Sequence, residues 1–292
     1  MFDIIVDSTS NITEDLAAKY NIRIISNMCR IDGQDYVCYE PGRNDEEEGK
    51  FFYDKLRQGA DIKTSLLEPG RLMEMFAESF DNGNDVLFVC MSSGLTGTCQ
   101  SASVAADDLK EDYPDRRCIV VDSMSASLGE GFLAIRAAKM RGQGCSIEEA
   151  AKWIEDNKFK MRHIFTVDDL KFLKRGGRIS GTASLLGSVL GIKPVLYATD
   201  KGTIELHSPV RGRKKSIKAL INDFMTYVDI EANDMVGIAH CDCKAEAMII
   251  EDAIREKYPD IEIVNKVYDR CSGAHVGPGA LCVFFMGKNR GY

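Results

Sequence analysis

The sequence predicts an α/β chain of two domains: an N-terminal one with a mostly parallel sheet and helices on both faces, and a smaller C-terminal α/β domain. Three observations predict it. Short apolar runs alternate with helix-period segments through the first half, the pattern of βαβ units. The 292 residues suit two domains of ordinary size better than one. Near residue 158 the pattern changes, and a hairpin opens a second alternating set. The expected division is residues 1–157 and 158–292.

The first strand is expected at Ile4–Asp7, directly after the start, followed by a short helix at Thr13–Lys19 and a strand at Ile22–Ser26. Asp45–Gln58 opens with acids that suit a helix N-terminus and then carries Phe51, Phe52 and Leu56. Pro69–Phe80 has an early proline and Leu72, Met73, Phe76 and Phe80 on one face, which predicts a helix. Strands at Val86–Met91, Cys118–Asp122 and His163–Thr166 alternate with helices at Ser101–Leu109, Gly131–Arg141 and Ile147–Asn157. Next Leu170–Gly177 leads into a small-residue helix at Ser184–Gly191. Strands Lys193–Ala198 and Thr203–Pro209 flank Asp200-Lys201-Gly202, a hairpin turn. Helices Lys214–Tyr227 and Lys244–Lys257 and strands Met235–His240, Ile261–Tyr268 and Leu281–Met286 complete the second unit.

Composition narrows the function. With 45% hydrophobic and 28% charged residues the chain is an ordinary globular one. A net charge of −8 argues against general nucleic-acid binding, which needs a basic face. No run reaches the roughly 18 apolar residues of a membrane span. Phe2 to Asp7 read as a strand and not as a secretory leader. The expectation is a cytoplasmic protein with membrane contact that is transient at most. The 10 cysteines contain no Cys-x-x-Cys pair, so they read as buried reduced thiols. His240-Cys241-Asp242-Cys243 is spaced too tightly for a metal site, and neither metal nor cofactor is expected.

Hydroxyl-rich loops carry the candidate chemistry. Met91 to Thr98 (Met-Ser-Ser-Gly-Leu-Thr-Gly-Thr) follows a strand and precedes a helix. In a parallel sheet such a loop lies at the carboxyl ends of the strands, where ligands bind. Its glycines permit close approach, free amides attract an anion, and Ser93 and Thr96 add donors. The same residue types also serve as ordinary caps and turns. Lys63-Thr64-Ser65, Asp7-Ser8-Thr9-Ser10 and the stretch from Asp122 to Gly131 repeat the theme. His275 stands among glycines in what reads as a loop, where it can meet a ligand and titrate near neutrality. A basic cluster of Arg211, Arg213, Lys214 and Lys215, with Lys171, Lys174, Arg175 and Arg178 elsewhere, is a solvated face or a dock for an acidic partner or a nucleotide phosphate.

In this order the motifs resemble the DegV family of bacterial fatty-acid-binding proteins. The resemblance is carried by Asp7-Ser8-Thr9-Ser10, Thr64-Ser65, the loop from Ser92 to Thr98, Asp122-Ser123 with Ser127, Gly129 and Gly131, the stretch from Asp168 to Ser180, Ile192-Lys193-Pro194, and His275 with Gly277. It implies two α/β domains enclosing one long-chain fatty acid such as palmitate, stearate or oleate. Thr64 and Thr96 take the positions that hold its carboxylate, with Ser65, Ser93, Gly97 and His275 around the head group. It further implies a non-catalytic carrier whose partner is a separate fatty acid kinase. That kinase forms an acyl phosphate for phospholipid synthesis, and Arg211 takes the place of the arginine used with it. Two departures stand out: Leu66-Leu67 replaces Gln-Pro after Thr64-Ser65, and Thr96 replaces a serine. The alternatives are a hydrolase or phosphotransferase using the Ser/Thr loops and His275, and a binding module for another small anion. Neither a Gly-x-Ser-x-Gly elbow nor a Walker loop is present.

Overall fold

A computed structural model describes residues 1–43, 45–179 and 191–290. In chain order the elements are β1 (Phe2–Asp7), α1 (Glu14–Lys19), β2 (Ile22–Ile25), β3 (Met28–Ile31), β4 (Gln34–Val37), α2 (Asp45–Arg57), β5 (Ile62–Thr64), α3 (Pro69–Asp81), β6 (Asp85–Cys90), α4 (Thr98–Asp108), β7 (Cys118–Asp122), α5 (Leu128–Gly142) and α6 (Ile147–Asn157). They continue with β8 (Met161–Thr166), α7 (Lys171–Arg175), β9 (Ile192–Ala198), β10 (Ile204–Arg211), α8 (Arg213–Tyr227), β11 (Met235–His240), α9 (Lys244–Lys257), β12 (Glu262–Val267), α10 (Arg270–Val276) and β13 (Leu281–Met286). The expected helix at Ser184–Gly191 lies almost wholly outside the described residues.

Among the described residues the strands form three sheets. The first, in the order β2-β1-β6-β7, is parallel throughout. Its strands β1 and β6 are buried along almost their whole length, so they read as continuous apolar runs. Ile5, Phe88 and Val86 face Phe76, Phe80 and Ala102 of α3 and α4 on one side. Ile4, Val6 and Leu87 face α5 on the other. Helices thus cover both faces, as the alternating pattern predicts.

The second sheet runs β10-β9-β8-β13-β11-β12 and is mixed, with only β11 and β12 parallel. One face packs on α8 and α9 through Leu220, Phe224, Ile250 and Ile254. The other joins the core of the first sheet, which runs unbroken from Phe2 to Met286. Between the two sheets α5 touches strands of both. Its residues 128–135 are all buried, which is why its apolar pattern wraps around the helix and shows little one-sidedness.

The third sheet, β4-β3-β5, is antiparallel and is not foreseen by the sequence. Its strands have three or four residues and mix polar with apolar, as in Gln34-Asp35-Tyr36-Val37. The sheet matters because β5 ends on Thr64, paired in register with Cys29 of β3.

Arg290 ties the two halves together. Its buried guanidinium donates to the carbonyls of Met124, Lys158 and Thr199 and to Ser125 Oγ, at 2.6–3.1 Å. It thereby satisfies carbonyls that a closed interface would otherwise orphan.

Candidate functional site

The strand order sets where a ligand can enter. From β1 the chain moves outward to β2 on one side, and β6 then β7 lie on the other. The loops after β1 and β6 therefore part and leave a crevice at the carboxyl edge. A cavity of about 270 Å³ opens there, lined by Asp7 at the end of β1, by Thr9 just beyond it, and by Met91 and Thr96 after β6. A single water needs only on the order of 10–15 Å³ of such space, so the cavity suits a ligand of many atoms.

The mixed sheet closes the cavity with Phe165, Ala198, Ile204, Cys282 and Phe284, which with Leu173 and Val276 make an apolar wall. The polar side is built from separate pieces of chain. Thr64 and Ser65 come from the end of β5, Thr96 and Gly97 from the loop before α4, and Ser272 and His275 from α10. Thr64 Oγ1 lies 2.9 Å from His275 Nε2, so two of the predicted residues meet directly. Thr96 Oγ1 lies 3.1 Å from Thr98 Oγ1, and Gly97 is the N-cap of α4. The free amides at that helix start suit an anion.

His275 corrects an expectation. It lies in the last turn of α10 and not in a loop, because Asp269 caps this short helix by accepting from the Cys271 and Ser272 amides. Gly277 ends the helix at φ +80°, where a Cβ would overlap the Phe172 ring. A Cβ on Gly176 would strike His275 Nδ1, so that glycine lets α7 close on the imidazole. Burial, together with the positive Arg178 and Arg175, pushes His275 down to about 4. At neutral pH the ring is uncharged, and it donates or accepts according to its tautomer.

Ser93 stands apart from the cavity lining. It is exposed, and its amide donates to the Asp122 carboxylate. Ser92 and Gly94 of the same loop serve the structure. Buried Ser92 Oγ donates to the Gly202 carbonyl at 2.8 Å, and Gly94 packs so closely on the hairpin turn that a Cβ would lie 2.8 Å from two backbone oxygens. The glycine loop thus docks the β9–β10 turn and also rims the cavity. Arg211, the last residue of β10, is exposed away from the lining. Part of its basic neighbourhood is consumed by ion pairs: Arg213 bonds Glu246, and Lys193 bonds Asp168.

Arg178 and Asp7 line the cavity in positions that residue type alone does not reveal. The Arg178 guanidinium donates to the Leu95 carbonyl at 3.1 Å and brings a positive charge to the site. Asp7 is buried, and burial raises its carboxyl above the ordinary range, with the Thr9 hydroxyl and amide opposing. Of the tight metal-like run, Cys241 is wholly buried, Asp242 pairs with Arg57, and Cys243 Sγ contacts the Ala280 carbonyl, so the side chains diverge.

The fold and the site together define an α/β protein with a small-molecule cavity at a sheet switch point. The family model described as "Uncharacterised protein, DegV family" matches residues 1–288. The chain belongs to the DegV family. A DegV domain-containing protein of Clostridium perfringens is 38% identical over 289 residues, covering 99% of this chain and 98% of its own. Among solved structures, a fatty-acid-binding DegV family protein from Thermus thermophilus has a TM-score of 0.86 at 26% identity, covering 98% and 99% of the two chains. A stearic-acid-binding protein from Eubacterium ventriosum has a TM-score of 0.83 at 25% identity, covering 98% of each.

Proposed function

We propose that this protein is a non-catalytic carrier that encloses one long-chain fatty acid and presents its carboxylate to a separate fatty acid kinase. The observation that carries the reading is the Thr64–His275 pair at the polar side of a cavity whose other wall is apolar. The solved relatives from Thermus and Eubacterium, described as binding fatty acids, support the same ligand class. The tail supplies the affinity: each buried methylene contributes about 0.8 kcal/mol, so a dozen give roughly 10 kcal/mol gross. The head group sets the orientation. Thr64 and Thr96 offer hydroxyl donors, Ser65, Gly97 and neutral His275 surround them, and Arg178 balances the charge. On this reading residues 1–157 and 158–292 are two domains that clasp the acyl chain. Ser93 sits outside the contact set and Arg211 serves the kinase.

Mass spectrometry of an organic extract of the denatured, purified protein tests the ligand class. A single long-chain fatty acid near one per chain is expected. An extract without fatty acid, from a protein that also takes up none, overturns the proposal.

The hydroxyl–imidazole pair is also the geometry of an activated nucleophile. Here Nδ1 of His275 abuts Gly176, and among the described residues the ring's hydrogen-bond partner is Thr64 and not a carboxylate, which favours the carrier. Ester hydrolysis dependent on both Thr64 and His275 would support the enzyme instead.

A further inference from the structure

Two thiols and a carboxyl converge beside the cavity, at the start of α10. Cys38 Sγ and Cys271 Sγ lie 3.3 Å apart, and with an Asp269 carboxylate oxygen they lie within 4.8 Å of one another. Asp269 Oδ1 is engaged by the amides of Cys271 and Ser272 at 2.7 and 3.1 Å. Its Oδ2 is buried and has no hydrogen-bond partner among the described residues. An orphaned carboxylate oxygen in a buried site is costly unless something pairs with it. Cys38 and Asp269 also border a separate cavity of about 40 Å³, roomy enough for a water or an ion.

The donor set selects the occupant. Two sulfurs and one oxygen suit a borderline-soft cation and not magnesium or calcium, which take oxygen ligands. Zn–S bonds of about 2.3 Å in a tetrahedron place two sulfurs roughly 3.7 Å apart, so the thiol pair need open by only about 0.4 Å. Two thiolates and a carboxylate around a dication leave one negative charge. Arg270 packs beside Cys38 and is held by Glu48 and the Val37 carbonyl, so its guanidinium moderates that charge without cancelling it. The ligands come from positions 38, 269 and 271, a separation that no local motif reveals.

We propose that Cys38, Cys271 and Asp269 form a binding site for a thiophilic divalent cation, with zinc as the type case and water from the small cavity in the fourth position. Binding displaces the two thiol protons to solvent, with no redox change. The site joins the loop after β4 to α10. Cys271 lies one turn before His275, and β3 next to β4 pairs with Thr64 through Cys29. A bound cation would therefore brace the two pieces of chain that meet at the Thr64–His275 contact.

The test uses the reduced, delipidated, metal-stripped full chain, so it is independent of fatty-acid binding. Zinc is titrated against a chromophoric chelator, and cobalt(II) is added in a parallel optical experiment. One zinc per chain is expected, with a sulfur-to-cobalt charge-transfer band in the near ultraviolet. Cys38→Ser and Asp269→Asn should each weaken zinc at least 10-fold, while Cys99→Ser and Cys145→Ser leave it unchanged. Absence of zinc binding, zinc binding that survives Cys38→Ser, or a cobalt spectrum without the sulfur band would overturn the proposal. The wild-type cobalt spectrum decides the matter even if a variant fails to fold. Air oxidation of Cys38 and Cys271 to a disulfide at the same rate with and without zinc would also overturn it.

Discussion

Thr64 and His275 are 211 positions apart in the chain, yet Thr64 Oγ1 stands 2.9 Å from His275 Nε2. The contact exists because the short β5 strand brings Thr64 up beside α10 and Gly176 makes room for the ring. If the carboxylate is held here, removing a hydroxyl loses one hydrogen bond to a charged group, worth about 1.5–3 kcal/mol. Thr64→Ala or Thr96→Ala should weaken fatty-acid binding by about one to two orders of magnitude. A fluorescent fatty-acid displacement assay reads this directly. Unchanged affinity in the double variant would remove both residues from the site.

The same contact has a pH signature. His275 is pushed down to about 4, whereas an unfolded histidine titrates near 6.5. Between those values the unfolded chain binds the extra proton. This histidine's contribution to stability is therefore full above about 6.5 and lost as pH falls toward 4. His163 and His240 are also lowered by burial and tilt the whole curve the same way. The informative quantity is thus the difference between wild type and His275→Gln in denaturant midpoints from pH 4 to 7.5. The wild-type curve should fall more steeply with acid, and parallel curves would contradict the assignment.

Arg290 gives a prediction about assembly. It donates to carbonyls at positions 124, 158, 161 and 199, which belong to four separate places along the first and second sheets' connections and strands, including a short 3-10 turn at Lys158–Lys160. Arg290→Ala leaves these buried acceptors unpaired at about 1–3 kcal/mol each, partly relieved if water enters. A loss of about 3–5 kcal/mol is expected by chemical denaturation. A change below about 1 kcal/mol would show that the carbonyls find other partners.

Much of this architecture is legible from sequence, for physical reasons that differ by element. Strands β7, β11 and β13 are apolar runs bounded by polar residues, and their expected bounds match the observed ones. Helix α6 announces itself by a capping box, with Ser146 and Glu149 each bonding the other's backbone. The three-stranded sheet is hidden because strands of three or four half-exposed residues have no usable period. Helix α10 is hidden because Gly273 and Gly277 make a loop-like composition, while the Asp269 cap sits just outside the glycine motif. The hydroxyl loops are visible as a group. Sequence alone does not divide Ser92, which fastens a hairpin, from Thr96, which faces the cavity.

On the proposed reading, Arg211 separates carrying from coupling. It is exposed at the end of β10 and lies outside the cavity lining. Arg211→Ala should leave fatty-acid affinity within about twofold, since surface substitutions away from a site rarely exceed ±0.5 kcal/mol. It should slow acyl-phosphate formation when a fatty acid kinase is supplied. Lost lipid binding with intact kinase coupling would reverse the assignment.

Glu130 sits wholly buried in the first turn of α5, and neither carboxyl oxygen has a hydrogen-bond partner among the described residues. Burial raises its carboxyl well above the ordinary range, and negative Asp7, Asp269 and Asp122 add to the shift. A carboxyl raised in the folded state holds its proton while the unfolded chain has already released it, from about pH 4.5 upward. The folded chain binds more protons in that window, so this residue lowers stability progressively as pH rises. Glu130→Gln keeps the size and removes the titration. It should match wild type near pH 4.5 and become the more stable of the two by pH 8. Denaturant midpoints across that range measure the gap. If the two proteins differ by a constant amount at every pH, Glu130 is ionised in the folded chain. The buried carboxyls of Asp7 and Asp269 would then need a positive partner between them, because like charges in a water-poor site cannot all persist.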